Sequence, residues 1–352
     1  MDDHTTATEP VCSICIANYN GIDVIGPCLE SIYAQEGTLP FEIIVHDDAS
    51  TDESVAFIRT HYPDVTLITS SKNRGYCESN NRMVSRARGE FILLLNNDTT
   101  LHNDALKTLR TFALNHNEPA IISLAQYSMH TGELVDCGSF FDPFLNPVPN
   151  LGRECRTVGM VSGACLWISK VLWHELGGFP EWYQSIAEDT YLSCCARLRG
   201  YSVLAVAQSG FDHWIGKNIG GGKIVGGKLA TTYRRRYLSE RNKTFTLCVC
   251  YPSVAFYLFM PLHLLILSLE GYTLTLIKRD PKIWREIYGK ALRALWDKKN
   301  HLMRKRSALQ RNRRITTWKF FSVFVFYPYK IAMLFKHGLP SVKQIDDMRS
   351  AV

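Results

Sequence analysis

No second cysteine pair follows the C-x-x-C of Cys12 and Cys15 at zinc-site spacing, which excludes a metal-stapled module. The eleven cysteines form no disulfide-like framework along the 352 residues. Cys12 and Cys15 lie in an apolar, strand-like run, Cys194 and Cys195 on a predicted helix, and Cys248 and Cys250 before an apolar segment. All are read as buried, reduced thiols of a cytosolic protein. An apolar leader is also missing: the opening MDDHTTATEP is acidic and polar, so no secretory signal is expected. The remaining composition, 46% hydrophobic and 21% charged, suits one large globular domain with an appendage.

Charge is distributed unevenly. Lys278–Lys319 holds fifteen Lys/Arg against Asp280, Glu286 and Asp297, a net +12 that leaves −5 for the rest of a chain of net +7. A mildly acidic domain therefore carries a strongly basic extension, and the two parts are expected to meet different partners. The cluster Arg304–Arg314 has no aromatic residues among its cations and sits in no recognisable nucleic-acid module, so nucleic acid is set aside as a partner.

What is present is a strand–helix rhythm. Val11–Ala17 reads as a strand broken by Asn18-Tyr19-Asn20-Gly21, then a helix with Val24, Ile25, Leu29, Ile32 and Tyr33 on one face. Phe41–His46 is a second strand, ending at Asp47-Asp48. Ser50-Thr51-Asp52-Glu53 has the form of a capping box and predicts a helix through Thr60. Val65–Thr69 reads as a third strand, Asn73–Tyr76 as a turn, and a helix through Arg86 leads to the run Phe91–Leu95. That run is apolar on both faces, which fits a strand inside a covered sheet, and it ends abruptly at Asn96-Asn97-Asp98. The alternation indicates a parallel sheet with right-handed crossovers, whose ligands bind beyond the carboxyl ends of the strands. Each strand brings polar residues to that rim: Asn18 and Asn20, Asp47 and Asp48, Asn73 and Arg74, Asn96 and Asp98.

Further on the pattern loosens. A helix is predicted over Ala105–Asn115, and Phe140–Asn150, with three prolines, reads as a surface loop. Val161–Ser169 is a strand, followed by a helix ending at Gly177-Gly178 and an aromatic loop, Phe179–Tyr183. Ser185 opens a helix through Arg199, Val203–Val206 is a strand, and His213 introduces a loop containing Gly216, Gly220, Gly221, Gly222, Gly226 and Gly227.

The series IANYNG, IIVHDDASTDES, NRGYCESNN, ARGEFILLLNNDTTL, VSGACLWISKVLWHELGGF and AEDTYLSCCARLRGY closely resembles the family 2 glycosyltransferases. It is most similar to bacterial rhamnosyltransferase-like enzymes of surface polysaccharide assembly. The match covers roughly Val11–Trp214, in order and at natural spacing. It implies a GT-A fold, a Rossmann-like mixed, mostly parallel sheet flanked by helices. It also implies transfer of a sugar from a nucleotide diphosphate donor to an acceptor hydroxyl, usually with inversion. By this resemblance Ala17, Asn18, Tyr19 and Asp47 hold the nucleotide, Asp47 through base or ribose. Asn73, Arg74, Gly75, Asn80, Asn96 and Asn97 complete the donor pocket. Asp98 closes the D-x-D motif and ligates Mg2+ or Mn2+ on the diphosphate, with His213 as a further metal or diphosphate contact. Asp189 of the Glu188-Asp189 pair is the implied general base. The chain departs from the pattern at Asn96, where D-x-D has its first carboxylate; an amide oxygen can still ligate a hard cation but brings no charge.

Several residues keep two readings. Ser185-Ile186-Ala187-Glu188 is itself a capping box, so Glu188 is a helix cap or a catalytic neighbour. His213 is an ordinary buried histidine or a ligand before a phosphate-covering loop. Lys217 and Lys223 are diphosphate contacts or solvated charges, and Trp182 and Tyr183 an acceptor platform or packing. Asp48 and Asp52 are accounted for by the dipole of the helix they precede, and His46, facing the other side of its strand, is structural.

Val254–Leu269 is apolar except for His263 and Ser268, and with Tyr272–Ile277 it is long enough to cross a hydrocarbon core. Thr317–Phe335 is a second apolar segment. If both spanned, the +12 stretch would face away from the cytosol, against the positive-inside tendency. Segments lying in or re-entering the interface, with the basic stretch on anionic head groups, fit better. Burial against the catalytic domain is the other reading. The sequence thus suggests a GT-A catalytic domain over residues 1–245 (nucleotide half about 11–100, acceptor half 101–245) and a helical, basic, membrane-associating extension over 246–352. The implied acceptor is saccharide on polyprenyl diphosphate, the donor dTDP-rhamnose, and the location the cytoplasmic face of a bacterial inner membrane. Two competitors remain: a nucleotide-sugar-binding scaffold, and a sugar nucleotidyltransferase. The latter should carry a glycine-rich phosphate loop where this chain has Asn18-Tyr19-Asn20.

Overall fold

The structure, a computed structural model, describes residues 9–154, 156–214, 221–225 and 228–343. Its first half alternates as the sequence implies: β1 (Cys12–Asn18), α1 (Ile22–Tyr33), β2 (Phe41–Asp47), α2 (Ser54–His61), β3 (Thr66–Thr69), α3 (Tyr76–Arg86) and β4 (Phe91–Asn96). β4, β1, β2 and β3 lie side by side and parallel. Ile14 and Ile16 of β1 enter the apolar layer beneath α1 and α4 (Ala105–Asn115), while Cys15 between them enters the layer beneath α3. That alternation is the pleat of a strand covered on both faces.

A short β5 (Thr99–Leu101) precedes α4, and β6 (Ala120–Ser128), β7 (Leu134–Asp136), β8 (Ser139–Phe141), β9 (Pro147–Pro149) and β10 (Arg156–Thr157) follow it. β11 (Cys165–Ser169) enters antiparallel to β4 and β6, so its first residue, Cys165, pairs with Leu95 at the carboxyl end of β4. α5 (Lys170–Leu176), a 3-10 turn (Glu181–Tyr183), α6 (Glu188–Leu198) and β12 (Ser202–His213) complete a mixed, mostly parallel sheet flanked by helices. β12 pairs parallel with β6, shifts register after Val206, and ends with His213 opposite Thr99 of β5.

The remainder comprises β13 (Gly221–Val225), β14 (Lys228–Thr232), α7 (Tyr233–Cys250), α8 (Ser253–Lys278), α9 (Pro281–Ile283), a π-helical turn (Trp284–Tyr288), α10 (Gly289–Arg311), α11 (Thr317–Phe321), α12 (Tyr329–His337) and β15 (Ser341–Lys343). α7 runs unbroken through residues 245 and 246, and Phe245, Leu247 and Val249 share the apolar layer of α3 and α6. A buried ion network fastens α7 to the outer helices. Glu240 of α7, 1% exposed, meets Lys243 at 2.9 Å, Arg236 at 3.1 Å and Lys330 of α12 at 2.6 Å. Glu270 of α8 meets Lys330 at 2.9 Å and also pairs with Arg236. Burial pushes the Glu240 carboxyl up, but the three cations outweigh it and hold it well below the usual range. An uncompensated charge here would be costly, which ties these three helices into one unit.

Several sequence readings are corrected. The Ser50–Glu53 capping box does not form: the Ser50 hydroxyl donates to Asp47 at 2.5 Å, and α2 opens only at Ser54, whose backbone N–H donates to Asp52. Phe140–Asn150 is no surface loop. Phe141, Asp142 and Leu145 are buried, Phe141 against Phe324, and Asp142 accepts from the backbone N–H of Tyr329 at 3.0 Å. The C-terminal helices cover this hairpin, which no local pattern announces. Val161–Ala164 is a turn, so the strand begins at Cys165. The Val203–Val206 strand is longer, running to His213, and β6 has no counterpart in the sequence reading. Thr317–Phe335 is two short helices broken ahead of Pro328. Ten cysteines are free and buried as anticipated; Cys155, Lys217 and the glycines at 216, 220, 226 and 227 lie outside the described residues.

Candidate active site

The rim at the carboxyl ends of β1, β2 and β4 is built from side chains that bind one another. Asn18, 1% exposed, donates from Nδ2 to Asp47 Oδ1 and Ser54 Oγ (both 3.0 Å) and accepts from Asn97 Nδ2 at 2.8 Å. Gly21 follows of necessity, because a Cβ there would drive into the Asn18–Asn97 amide pair. Asp47 also accepts from Ser50 N and Oγ, so both its oxygens are occupied beneath the loop. Ala17 and Tyr19 flank Asn18, with Tyr19 exposed above the rim.

Asp48 does more than face a helix dipole, as the sequence reading had it. Its Oδ1 accepts from Arg74 N at 2.6 Å and its Oδ2 from Gly75 N at 2.8 Å, while its carbonyl accepts from Asn73 Nδ2 at 3.3 Å. It thereby latches the Asn73–Gly75 loop to the end of β2. The Arg74 side chain pairs with Glu78 at 3.0 Å. Asn80, buried in α3, donates to Tyr76 O at 2.8 Å and leaves Oδ1 without a partner. Asp52 meets the sequence reading, accepting from Ile22 N and Ser54 N at the starts of two helices. His46 is structural too, its Nε2 meeting Ser70 Oγ at 3.1 Å.

Asp98 stands just past β4, 5% exposed, with Oδ1 lacking a hydrogen-bond donor and lying 3.2 Å from His213 Nε2. The backbone fixes the pair, since Trp214 N donates to Asp98 O at 2.9 Å. A buried carboxylate oxygen and an imidazole nitrogen facing each other form a donor set suited to a divalent cation such as Mn2+ or Mg2+. Among the described residues no third His, Cys, Asp or Glu joins them, so the other ligands would be ligand oxygens or water. Asn96 sits beside them, its backbone N–H donating to Ala164 O at 3.0 Å.

The same turn carries the second carboxylate. Gly163 N donates to Asp189 Oδ2 at 3.1 Å, and Tyr76 OH donates to Gly163 O at 2.8 Å. Asp98 and Asp189 therefore flank one turn, Ser162–Ala164, at one rim of the sheet. Glu188 does not cap its helix: α6 opens from Ala187 at φ 66°, with no side-chain cap, and Glu188 Oε2 is buried without a partner. Burial, then the neighbouring Asp189, push Glu188 up to about 8. Burial raises Asp189 as well, opposed by the backbone donors of Gly163 and Thr190. The structure answers the open reading of Tyr183, whose fully buried ring and hydroxyl, 2.9 Å from Thr246 Oγ1, are packing. Trp182 packs on Phe245 and His301, and Lys223 falls in β13.

Two features escaped sequence reasoning. Arg235, in the first turn of α7, feels the charges of Glu188 and Asp189; the run Arg234–Arg236 after the glycine-rich loop was its only signal. Arg241 and Asn242 reach the loop before Glu188 from a helix with no amphipathic period, so nothing in the pattern marks them.

With this geometry in view, residues 13–176, a little under half of the chain, match the model of Glycosyl transferase family 2. Over 101 residues the chain is 36% identical to the succinoglycan biosynthesis protein ExoO of Rhizobium meliloti, covering 28% of this chain and 29% of that protein. The chain thus spans under a third of that relative's length. Among solved structures it superposes on S. aureus TarS 1-349 in complex with UDP-GlcNAc (TM-score 0.54, 17% identity, 85% of this chain and 89% of that one). It also superposes on GalNAc-T7 with UDP, GalNAc and Mn2+ (TM-score 0.54, 15% identity, 70% and 49%). At these identities the likeness establishes the GT-A fold.

Burial of the Glu188 carboxyl makes the stability of the fold depend on pH. In the unfolded chain it ionises near its ordinary 4.5, and in the folded protein near 8. The folded state therefore holds the proton more tightly, and this group costs stability as pH rises through that window. Glu188→Gln should melt several degrees above the parent at pH 8.5, with the gap closing by pH 5. Thermal melts across pH check it, and a constant gap would remove the buried-acid account.

Proposed function

We propose that the chain, built around the family 2 domain of residues 13–176, is an inverting glycosyltransferase that moves a sugar from a nucleotide diphosphate donor to an acceptor hydroxyl. The observation that carries this reading is the shared turn. A cation-suited pair, Asp98 and His213, and a proton-accepting carboxylate, Asp189, stand on either side of Ser162–Ala164. The nucleotide would lie over Ala17, Asn18, Tyr19 and Asp47, with Asn73–Gly75, Asn80, Asn96 and Asn97 along its flank. Asp98 and His213 would hold a divalent cation, which stabilises negative charge on the departing diphosphate. The acceptor oxygen bonds to the anomeric carbon as the carbon–oxygen bond to diphosphate breaks. Asp189 takes the hydroxyl proton as it becomes acidic. A single displacement needs one base and no covalent nucleophile. Glu188, protonated at neutral pH by its burial, keeps a second negative charge away from that base.

The motif resemblance favours dTDP-rhamnose as donor and a polyprenyl-diphosphate-linked saccharide as acceptor. The UDP-sugars of the structural neighbours put UDP donors in the same test panel.

The extension supports a role at the cytoplasmic face of a bacterial inner membrane. Of the large apolar side chains exposed among the described residues, all but five lie between Val254 and Phe335. α8 is 26 residues long with a window of mean hydropathy 1.7, enough to cross a membrane. One face of it nevertheless packs on protein through Ala255, Met260, His263, Leu267, Gly271 and Leu274, and Glu270 is held in the ion network. Spanning would strip those partners from Glu270 and His263, so α8 is read as lying in the interface, Leu258, Leu265 and Leu269 towards lipid. The exposed cations of α10 would meet anionic head groups.

Three outcomes test this reading. Asp189→Asn should keep donor affinity within a few-fold by calorimetry while nucleotide diphosphate release falls about 10²–10⁴-fold; retained turnover removes Asp189 as base. Asp98→Ala should abolish the Mn2+ dependence of nucleotide binding, and an unchanged metal titration would refute its ligand role. Leu258→Glu with Leu265→Glu and Leu269→Glu should lower cosedimentation with anionic phospholipid vesicles at least tenfold. Undiminished sedimentation would overturn the interfacial placement.

A further inference from the structure

The segment that delivers the carboxylate pair is the most strained in the described chain. Among the described residues seven non-glycines have positive φ, and three of them, Gln184 (66°), Ile186 (70°) and Ala187 (66°), fall within the four positions Gln184–Ala187. Such backbone persists only where its surroundings over-determine it. The surroundings here are mostly one side chain. Asn242 of α7, with no exposed surface, donates from Nδ2 to Ile186 O at 2.7 Å, Ser185 O at 2.8 Å and Tyr183 O at 3.1 Å. Arg241 fixes that amide by donating from Nε to Asn242 Oδ1 at 2.8 Å, and its Nη2 adds a bond to Tyr183 O at 2.8 Å.

The segment also closes on the donor side. Gln184 O accepts from Cys77 N at 3.0 Å, and at Gly75, where φ is 91°, any side chain would be strained and its Cβ would crowd that carbonyl at 3.0 Å. One short loop thus touches the Asn73–Gly75 loop at one end and launches Glu188-Asp189 at the other. A capping box at Ser185–Glu188 would have spent Glu188 on the helix; the Asn242 clamp holds the alternative.

We propose that Asn242, oriented by Arg241, is a positioning residue that sets the carboxylate pair against the acceptor side of the cleft. This rests on Asp189 being the base. Asn242 touches no reacting atom; it acts through the backbone of Tyr183–Ala187. An ångström of drift in a base costs on the order of 10²-fold in rate, while the proposed nucleotide contacts on β1 and β2, Asn18 and Asp47, are held by one another and by Ser50 and Ser54.

The test uses the full chain carrying Asn242→Asp, which replaces an NH2 whose two protons are shared among three carbonyls by an acceptor facing them, and separately Arg241→Lys, which keeps the charge but loses the amide-orienting Nε. The expected result is a 30–100-fold lower kcat for Asn242→Asp and a smaller loss for Arg241→Lys. Donor Kd should stay within about threefold, with a displaced pH–kcat profile and faster amide hydrogen exchange confined to residues 183–190. Loss of donor affinity and kcat in equal proportion, or exchange rising throughout α7 and the core, would make Asn242 merely structural and overturn the proposal. So would a wild-type pH profile. If Asn242→Asp does not fold, the Arg241→Lys profile decides alone. A parent enzyme whose turnover survives Asp189→Asn defeats the base assignment instead, and local exchange at 183–190 still reports on the clamp.

Discussion

The chemistry at the rim depends on how β11 enters the sheet. Because β11 runs antiparallel to β4, the turn that begins it must lie at the carboxyl end of β4, beside Asp98. Two hydrogen bonds make the turn a joint: Asn96 N to Ala164 O between backbones, and Gly163 N to the side-chain Oδ2 of Asp189. Backbone donors of this kind are short and stiff, so two acids on elements far apart in sequence are held at a fixed relation. Tyr76, from a third element, ties its hydroxyl to the same turn. In each of these bonds the turn contributes a backbone group, which carries no rotamer freedom of its own.

A second constraint is the cost of concentrating acids. Asp47, Asp48 and Asp98 are all nearly buried along one rim, and each is handled differently. Asp47 and Asp48 are neutralised in effect by hydroxyl and backbone donors, which turns them into fasteners for the loops they hold. Asp98 keeps an oxygen without a donor, facing His213. Glu188 escapes the cost by holding its proton, under burial and the charge of Asp189. The acids available to a ligand are therefore those that the fold leaves unsatisfied, and that distinction is invisible in a string of Asp and Glu residues.

Legibility followed the range of the interactions. The first four strands are short apolar runs, the first helix shows a period of 3.6, and the ends were marked by Asn, Asp and Gly, so the sheet and its rim could be read directly. Capping boxes misled twice for one reason. Ser50 is claimed by Asp47, three residues back and itself bound by Asn18, and Ser185 by the distant Asn242, and a capping motif yields to such contacts. The Phe140–Asn150 hairpin was misjudged because its cover comes from residues near 324 and 329. The Arg241-Asn242 clamp left no trace because the middle of α7 is polar and buried on all sides, which erases any amphipathic signal.

That buried polar helix is also what joins the two halves of the molecule. At its start Arg235 faces the carboxylate pair, at its centre Asn242 grips the loop before them, and between these Arg236 and Glu240 engage Glu270 of α8 and Lys330 of α12. α8 is thus fastened by charge on the side facing the protein while its opposite side shows leucine and tyrosine. A helix anchored in this way cannot rotate or tilt into a bilayer without breaking ion pairs that have no replacement in hydrocarbon. The ion network therefore fixes the angle between the apolar face and the cleft. On the proposed reading, an acceptor at a lipid surface would meet Asp189 at a height determined by α7, not by a flexible linker.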